Sequence, residues 1–204
     1  AANHIALAQT AGGEEFVLLM PGCGDDGREA AERLRLAVES HAFRFHEQTI
    51  PVTISIGVSS VRTDESWGQA LTRARVDMVA RHYSGPLLDV GIGAGQFVLE
   101  RTDPTYGYDV NPHAVRWLQE RGLYQDMYRE AFRALSFWDA LEHIPDPGAA
   151  VARAGEWVFV SLPVFDGPEH CLQSRHFKPG EHLWYWTHAG IQHWFARQGF
   201  ECVE

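Results

Sequence analysis

The sequence predicts an α/β chain: a doubly wound, mostly parallel sheet over residues 78–204, preceded by a partial α+β segment over residues 1–77. Three observations predict it. From residue 86 onward, short apolar runs alternate with helical patterns, the rhythm of a parallel sheet with helices on both faces. A glycine loop, "DVGIGAG" at 89–95, sits between the first of those strands and the helix after it. Before residue 86 the pattern differs, with a hydrophobic run, a long amphipathic helix and one alternating strand. The helical stretch 64–85 is where the two parts are expected to meet.

Composition supports a folded chain and narrows the partners. With 204 residues, 45% hydrophobic and 22% charged, it can bury a substantial core. Twenty-seven acidic against 17 basic residues leave a net charge of −10. Phosphate-backbone affinity comes from clustered Lys and Arg, so nucleic acid is not an expected partner. Cys23, Cys171 and Cys202 stand far apart, which fits reduced thiols and a cytoplasmic location. The first residues lack a basic start and a sustained apolar run, so no signal peptide is read, and no stretch reaches membrane-span length.

Taken in order, "EEFVLLM" (14–20) reads as a buried strand and "PGCGDDG" (21–27) as a loop. Residues 28–41 repeat apolar positions at helical spacing, and Val52, Ile54, Ile56 and Val58 alternate with Thr and Ser as a half-buried strand. Residues 64–83 form a helix capped near Asp64 or Ser66. Then come a strand at 86–91, a helix start at 94–101, a strand at 105–110 and a helix at 112–122. A strand at 134–141, a short helix at 146–155, a strong strand at 157–165 and a helix at 187–199 follow, and "FECVE" begins another strand.

The glycine loop carries the first chemical signal. Glycines tolerate positive φ and let the backbone approach a ligand, and the helix beyond offers free N–H groups. The spacing is GxGxG rather than GxGxxG, with Gln96 where the last glycine would fall. Asp109 ends the next strand, where a carboxylate can accept both hydroxyls of a ribose.

Together "LLDVGIGAGQF" (87–97), "YGYDVNPHAVRWL" (106–118) and "FWDALEHIPDP" (137–147) resemble three motifs of class I S-adenosylmethionine-dependent methyltransferases, in their order and spacing. The resemblance covers residues 78–204. It implies a Rossmann-like fold, S-adenosylmethionine as cofactor, and methyl transfer as the activity. It also implies that Asp89, Gly91, Gly93 and Gly95 line the methionine and ribose part of the cofactor, and that Asp109, with Val110 beside it, holds the ribose. Trp138 and Asp139, leaving the fourth strand of that pattern, would border the pocket. No residue of 124–134 is assigned to the adenine amine. A complete domain of this class has two more strands after the helix at 187–199, so this one is read as lacking its last strands.

Methyl transfer asks mainly for alignment of acceptor and methyl, and for a base only where the acceptor must lose a proton. His143, just beyond the fourth strand, has the position for that base; a helix-capping or packing histidine is the alternative. Residues 166–190 carry His170, His176, His182 and His188 with Trp184, Tyr185 and Trp186. They are read as an aromatic, histidine-bearing lid over a small-molecule acceptor, with His176 and Tyr185 as further catalytic candidates. Core packing of the tryptophans is the alternative. A zinc site from Cys171 and these histidines fits no ligand spacing, and no metal is assigned.

"AGGEEFVLLMPG" (11–22), with "AERLRLAV" and "VTISIGVSS" after it, resembles the second half of a GGDEF (diguanylate cyclase) domain. The resemblance implies that Gly12 and Gly13 approach a nucleotide and that Glu14 and Glu15 sit near a metal. The family's first half, with another metal-binding aspartate and the phosphate contacts, is not present. Mg²⁺ needs further ligands, so cyclase activity is not expected, and a β-turn with solvated glutamates is the preferred reading. Three functions stay open: a methyltransferase, a module binding guanine nucleotides or a cyclic dinucleotide, and a recombined chain that folds without chemistry. Unpaired sheet edges allow self-association, or cover of the main sheet's edge by the N-terminal strands.

Overall fold

The computed structural model describes residues 6–12, 15–19, 27–45, 48–50, 52, 54, 56, 58, 64 and 66–203. The chain separates into two compact units, Ala1–Ala70 and Leu71–Glu204, with the break inside a helix.

In the first unit, β1 (Ala6–Gly12) and β2 (Glu15–Leu19) form a two-stranded antiparallel sheet with Gly12 opposite Glu15. Gly12, Glu15 and Phe16 of the GGEEF stretch therefore lie on the paired strands. Gly13 and Glu14, and most of the expected loop at 21–27, lie outside the described residues. Helix α1 (Gly27–Ser40) follows, its outer face tied by Arg35 to Glu32 and Glu39, both at 2.8 Å. A short hairpin, β3 (Phe43–Phe45) with β4 (Gln48–Ile50), comes next. Val52, Ile54, Ile56 and Val58 carry no strand, and their intervening neighbours lie outside the described residues.

Helix α2 (Trp67–His82) opens with a capping box. The Gln69 N–H donates to Ser66 Oγ at 3.3 Å, and the Ser66 N–H donates to Gln69 Oε1 at 2.8 Å. Each side chain satisfies a backbone donor that the first helical turn leaves unpaired.

The second unit is built on a four-stranded parallel sheet ordered β6-β5-β7-β8. Its strands are β5 (Leu87–Val90), β6 (Thr105–Tyr108), β7 (Phe132–Trp138) and β8 (Ala154–Ser161). Outside β6, Tyr124 forms a parallel bridge to Gly107, so part of the stretch 124–134 occupies the next strand position. Side chains alternate between faces with the strand period. On one face Leu88, Val90, Leu135 and Phe137 pack with Met127 and α5 (Pro147–Val151), against Trp194 and Phe195 of α7 (His188–Arg197). On the other, Leu87, Ala134 and Trp138 pack with Val79 and Tyr83 from and just after α2, and with Phe97 of α3 (Gln96–Glu100). Leu118 of α4 (Pro112–Glu120) closes over Ile92 and Val98. A Cβ on Gly107 would lie 2.6 Å from Leu118 Cδ2, so that helix approaches β6 closely because residue 107 has no side chain.

Both faces of the sheet are covered, as the alternating pattern predicts. The excursion 166–190 contains α6 (Pro168–Gln173) and returns through a parallel pair, β9 (Val164–Phe165) with β10 (Trp186–Thr187). Residues 201–203 form no strand, contrary to the reading of "FECVE". A strand is stable only with a pairing partner, and local pattern does not supply one.

Candidate functional site

In the sheet β5 runs between β6 and β7, the strands that follow it on opposite sides. This reversal of strand order is where open α/β sheets bind ligands, beyond the carboxyl ends of the strands. Three segments converge there: the glycine loop after β5, the Asp109 turn after β6, and Asp139 with the turn after β7.

The loop is shaped by its glycines. Gly91, Gly93 and Gly95 have φ of +77°, +54° and +75°, a region that L side chains rarely occupy. A Cβ on Gly91 would meet Ala140 Cβ at 2.8 Å, and one on Gly95 would meet Trp117 Cη2 at 2.8 Å. A Cβ on Gly93 would meet nothing within 4 Å, so the loop's apex presents its backbone to open space. The Gly91 N–H donates to Tyr108 O at 2.8 Å, which ties the loop to the end of β6.

Asp89 underlies this loop and is 1% exposed. Its Oδ1 accepts from Ser136 Oγ at 2.6 Å, across the β5–β7 pair. Burial pushes its carboxyl up to about 7, against the lowering effects of the Ser136 hydrogen bond and the Arg75 charge. Asp109 follows β6, half-exposed, with Oδ1 accepting from the Asn111 N–H at 2.7 Å. Its other oxygen has no part in that turn. Val110 is 84% exposed, an apolar surface at the rim.

At the end of β7 the two pocket-bordering candidates part company. Trp138 is 7% exposed, its ring 5.2 Å from Phe97 and beneath the Arg75 guanidinium at 5.1 Å. It is part of the core on the α2 face, because strand alternation sends Trp138 inward. Asp139 takes φ of +54°, the one positive-φ non-glycine among the described residues. It is held by Arg75 at 2.7 Å and by a hydrogen bond from Ser161 Oγ at 3.3 Å. Sequestered strain of this kind concentrates at functional sites.

A 3-10 turn, Leu141–His143, follows. Residues 178–184 dock on it: the Leu183 N–H donates to Glu142 O at 2.8 Å and Trp184 Nε1 donates to Ile144 O at 2.9 Å. His143 Nδ1 lies 2.8 Å from Glu181 O. A carbonyl only accepts, so Nδ1 carries the proton and Nε2 the lone pair. The His143 and His182 rings stand edge to face at 4.7 Å, and the Tyr185 ring lies 6.1 Å from His182. His143 and Tyr185 are thus brought together through His182. His176 stands against Arg175 Nε at 3.3 Å, with its N–H donating to Ser174 Oγ at 3.1 Å.

Sequence spacing assigns no metal, yet Glu142, His143 and His182 each present a ligand atom within 4.8 Å of the others. Cys171, weighed beside the histidines as a zinc ligand, is buried in α6 and outside that group. Burial raises the Glu142 carboxyl and lowers the His182 imidazole, so both favour their neutral forms. Ser136 and Arg75 carried no functional signal in sequence, and Glu142 was visible only as part of the motif at 137–147. His182 was visible only as one of four histidines in a stretch.

Residues 63–204 match the family model described as a methyltransferase domain; that is more than half of the chain, and the chain belongs to this family. Residues 3–85 match the model of the GGDEF domain of diguanylate cyclases. Over 64 residues the chain is 36% identical to diguanylate cyclase DgcP from Pseudomonas aeruginosa, a match spanning 31% of this chain and 10% of that protein. Among solved structures, the [4+2]-cyclase SpnF is similar with a TM-score of 0.52 at 20% identity, covering 88% of this chain and 72% of that one. A complex of the Haloferax volcanii Trm112 methyltransferase activator with a protein described as its methyltransferase partner is also similar. There the TM-score is 0.48 at 16% identity, over 65% of this chain and 72% of the other. The SpnF likeness identifies a Rossmann-like fold, and a fold by itself does not name a reaction. Among the described residues no helix is long and apolar enough to cross a membrane.

Proposed function

We propose that the chain transfers a methyl group from S-adenosylmethionine to a small-molecule acceptor. The observation that carries this reading is the bare apex at Gly93, flanked by two glycines that have no room for a side chain and followed by Asp109 at the next strand end. This cradle fits the cofactor. Gly91, Gly93 and Gly95 would take the methionine and ribose part along their backbone, Asp109 the ribose hydroxyls, and Val110 an apolar face of the base. When bound, the cofactor supplies a methyl already activated by its positive sulfur.

The chain's own residues then have modest tasks. Asp89 holds the loop through Ser136 and lies beneath the site of a cationic ligand, whose charge would favour its ionised form. Asp139, fixed by Arg75, borders the mouth. In the metal-free protein His143 Nε2 has the lone pair to accept a proton from the acceptor, and Tyr185 and His182 form the neighbouring wall. His176, turned toward Arg175 and Ser174, is a positioning candidate for the same lid.

Calorimetric titration with S-adenosylmethionine tests the reading. The parent chain should bind, and Asp109→Ala should bind about 10- to 100-fold more weakly, the loss of charge-assisted hydrogen bonds of about 1.5–3 kcal/mol. Asp109 is half-exposed, so thermal stability should hold. No heat of binding by the folded parent at millimolar cofactor would refute it. A second reading, a guanine-nucleotide or cyclic-dinucleotide module, is supported by the GGDEF match over residues 3–85. The same titration with GTP or a cyclic dinucleotide separates the two, since only this second reading expects Glu14→Ala and Glu15→Ala to abolish a signal.

A further inference from the structure

Glu142 presents an anomaly that the methyl-transfer reading does not use. It is 2% exposed, and its Oε2 has no hydrogen-bond partner among the described residues. A buried carboxyl oxygen without a partner costs free energy. Beside it stand two imidazoles, those of His143 and His182.

The neighbouring loop delivers one of them. Backbone hydrogen bonds from Leu183 and Trp184 to Glu142 O seat residues 178–184 on the 3-10 turn, and His182, 7% exposed, arrives beside Glu142 and His143. His143 already makes the outer hydrogen bond of a metal-ligating histidine, its Nδ1–H given to the Glu181 carbonyl, which leaves Nε2 as the ligand atom. We propose that Glu142, His143 and His182 form a binding site for a divalent transition-metal ion of the Zn²⁺ class.

Two imidazoles and one carboxylate match the donor preference of zinc and its neighbours, while Mg²⁺ and Ca²⁺ favour oxygen ligands throughout. With metal–ligand distances of ~2.1 Å, tetrahedral ligand atoms lie ~3.4 Å apart. The three atoms here, within 4.8 Å of one another, close that gap by side-chain rotation. Three protein ligands leave a coordination position for water or a ligand oxygen, the pattern of an open rather than a purely structural site. The bound cation would also satisfy Glu142 Oε2.

One consequence rests on the methyl-transfer reading. A hydroxyl of the acceptor bound at the open position would lose its proton to solvent with the help of the cation, and His143 would serve as ligand instead of base. The metal site itself does not depend on that reading, and its test uses no methyl donor.

The full chain, stripped with chelator and dialysed, is titrated with Zn²⁺ by calorimetry and with Co²⁺ by visible absorption. The parent should take up about one equivalent with release of protons, develop cobalt ligand-field bands, and gain thermal stability with added Zn²⁺. Glu142→Gln and His182→Ala should each weaken Zn²⁺ by at least ~10-fold. His143→Ala, at an exposed position and therefore safe for folding, should do the same. His188→Ala and His193→Ala, at exposed positions on α7, should bind as the parent does. A folded parent that takes up no Zn²⁺ at about 100 μM overturns the proposal, that concentration being far above the range of protein zinc sites. So does retention of parental binding by His143→Ala, or loss of binding in the α7 controls. A chain that binds Zn²⁺ but not S-adenosylmethionine would keep this site and remove the methyl-transfer reading.

Discussion

Replacing Asp89 by asparagine should flatten the pH dependence of the second unit's stability. Asp89 is 1% exposed, and burial lifts its carboxyl from 3.8 to about 7. A raised folded pKa means that the native unit keeps a proton which the unfolded chain releases. The contribution is therefore fully favourable below the unfolded value and is lost as pH rises through about 7. At 1.36 kcal/mol per pH unit, the two titration curves give a penalty of about 2 kcal/mol at pH 5 and about 4 kcal/mol at pH 8. The expected loss between those pH values is thus about 2–3 kcal/mol.

Asparagine has nearly the same shape, stays neutral, and its Oδ1 can accept from Ser136 Oγ. For a unit of this size such a change moves the midpoint by roughly 10 °C. Thermal unfolding followed by circular dichroism at pH 5, 6, 7 and 8, on parent and Asp89→Asn side by side, measures it. Other groups cancel in the comparison, including His182. Its lowered pKa gives stability that is present above its unfolded value and lost as pH falls, the opposite sign. Parallel profiles for the two proteins would show that Asp89 ionises as an ordinary carboxylate and refute the reasoning.

Three further predictions concern the glycine loop and the end of the helix after it. Gly95→Ala places a Cβ 2.8 Å from Trp117 at φ of +75° and should destabilise by about 2–4 kcal/mol in urea titration. Gly93→Ala, at φ of +54° with nothing within 4 Å, should cost only about 1–2 kcal/mol while weakening S-adenosylmethionine. Arg101 is 8% exposed and donates to Thr105 Oγ1 at 3.1 Å and Gly85 O at 3.2 Å. Arg101→Met, which keeps the volume, should lower stability by about 2–4 kcal/mol in the same titration, because buried acceptors and Asp103 lose their donor.

Much of the fold was legible because its signals are local. The glycine loop, the helix cap near Ser66 and the apolar run around Leu87 to Val90 each lie within a few residues. The strand β1 and the hairpin β3–β4 were not read. Such short strands exist through their pairing, and their own sequence carries little period. The pocket-bordering pair shows the same limit: Trp138 and Asp139 are adjacent, yet one enters the core and the other binds Arg75.

By itself the sequence determined the α/β class, the order of the four main strands of the second unit and the helices between them, the glycine loop with Asp109 after it, and the family. Those follow from hydrophobic period and from residue types that only certain backbone conformations accept. Tertiary structure alone decided which distant groups meet. Ser136 reaches Asp89 across 47 residues, Arg75 reaches Asp139 across 64, and Glu181 reaches His143 across 38. Electrostatic environment and metal geometry depend on distances of a few ångströms between such groups. Chain folding sets those distances, so the raised Asp89 and the Glu142–His143–His182 group could be seen only once the sheet and its loops were in place.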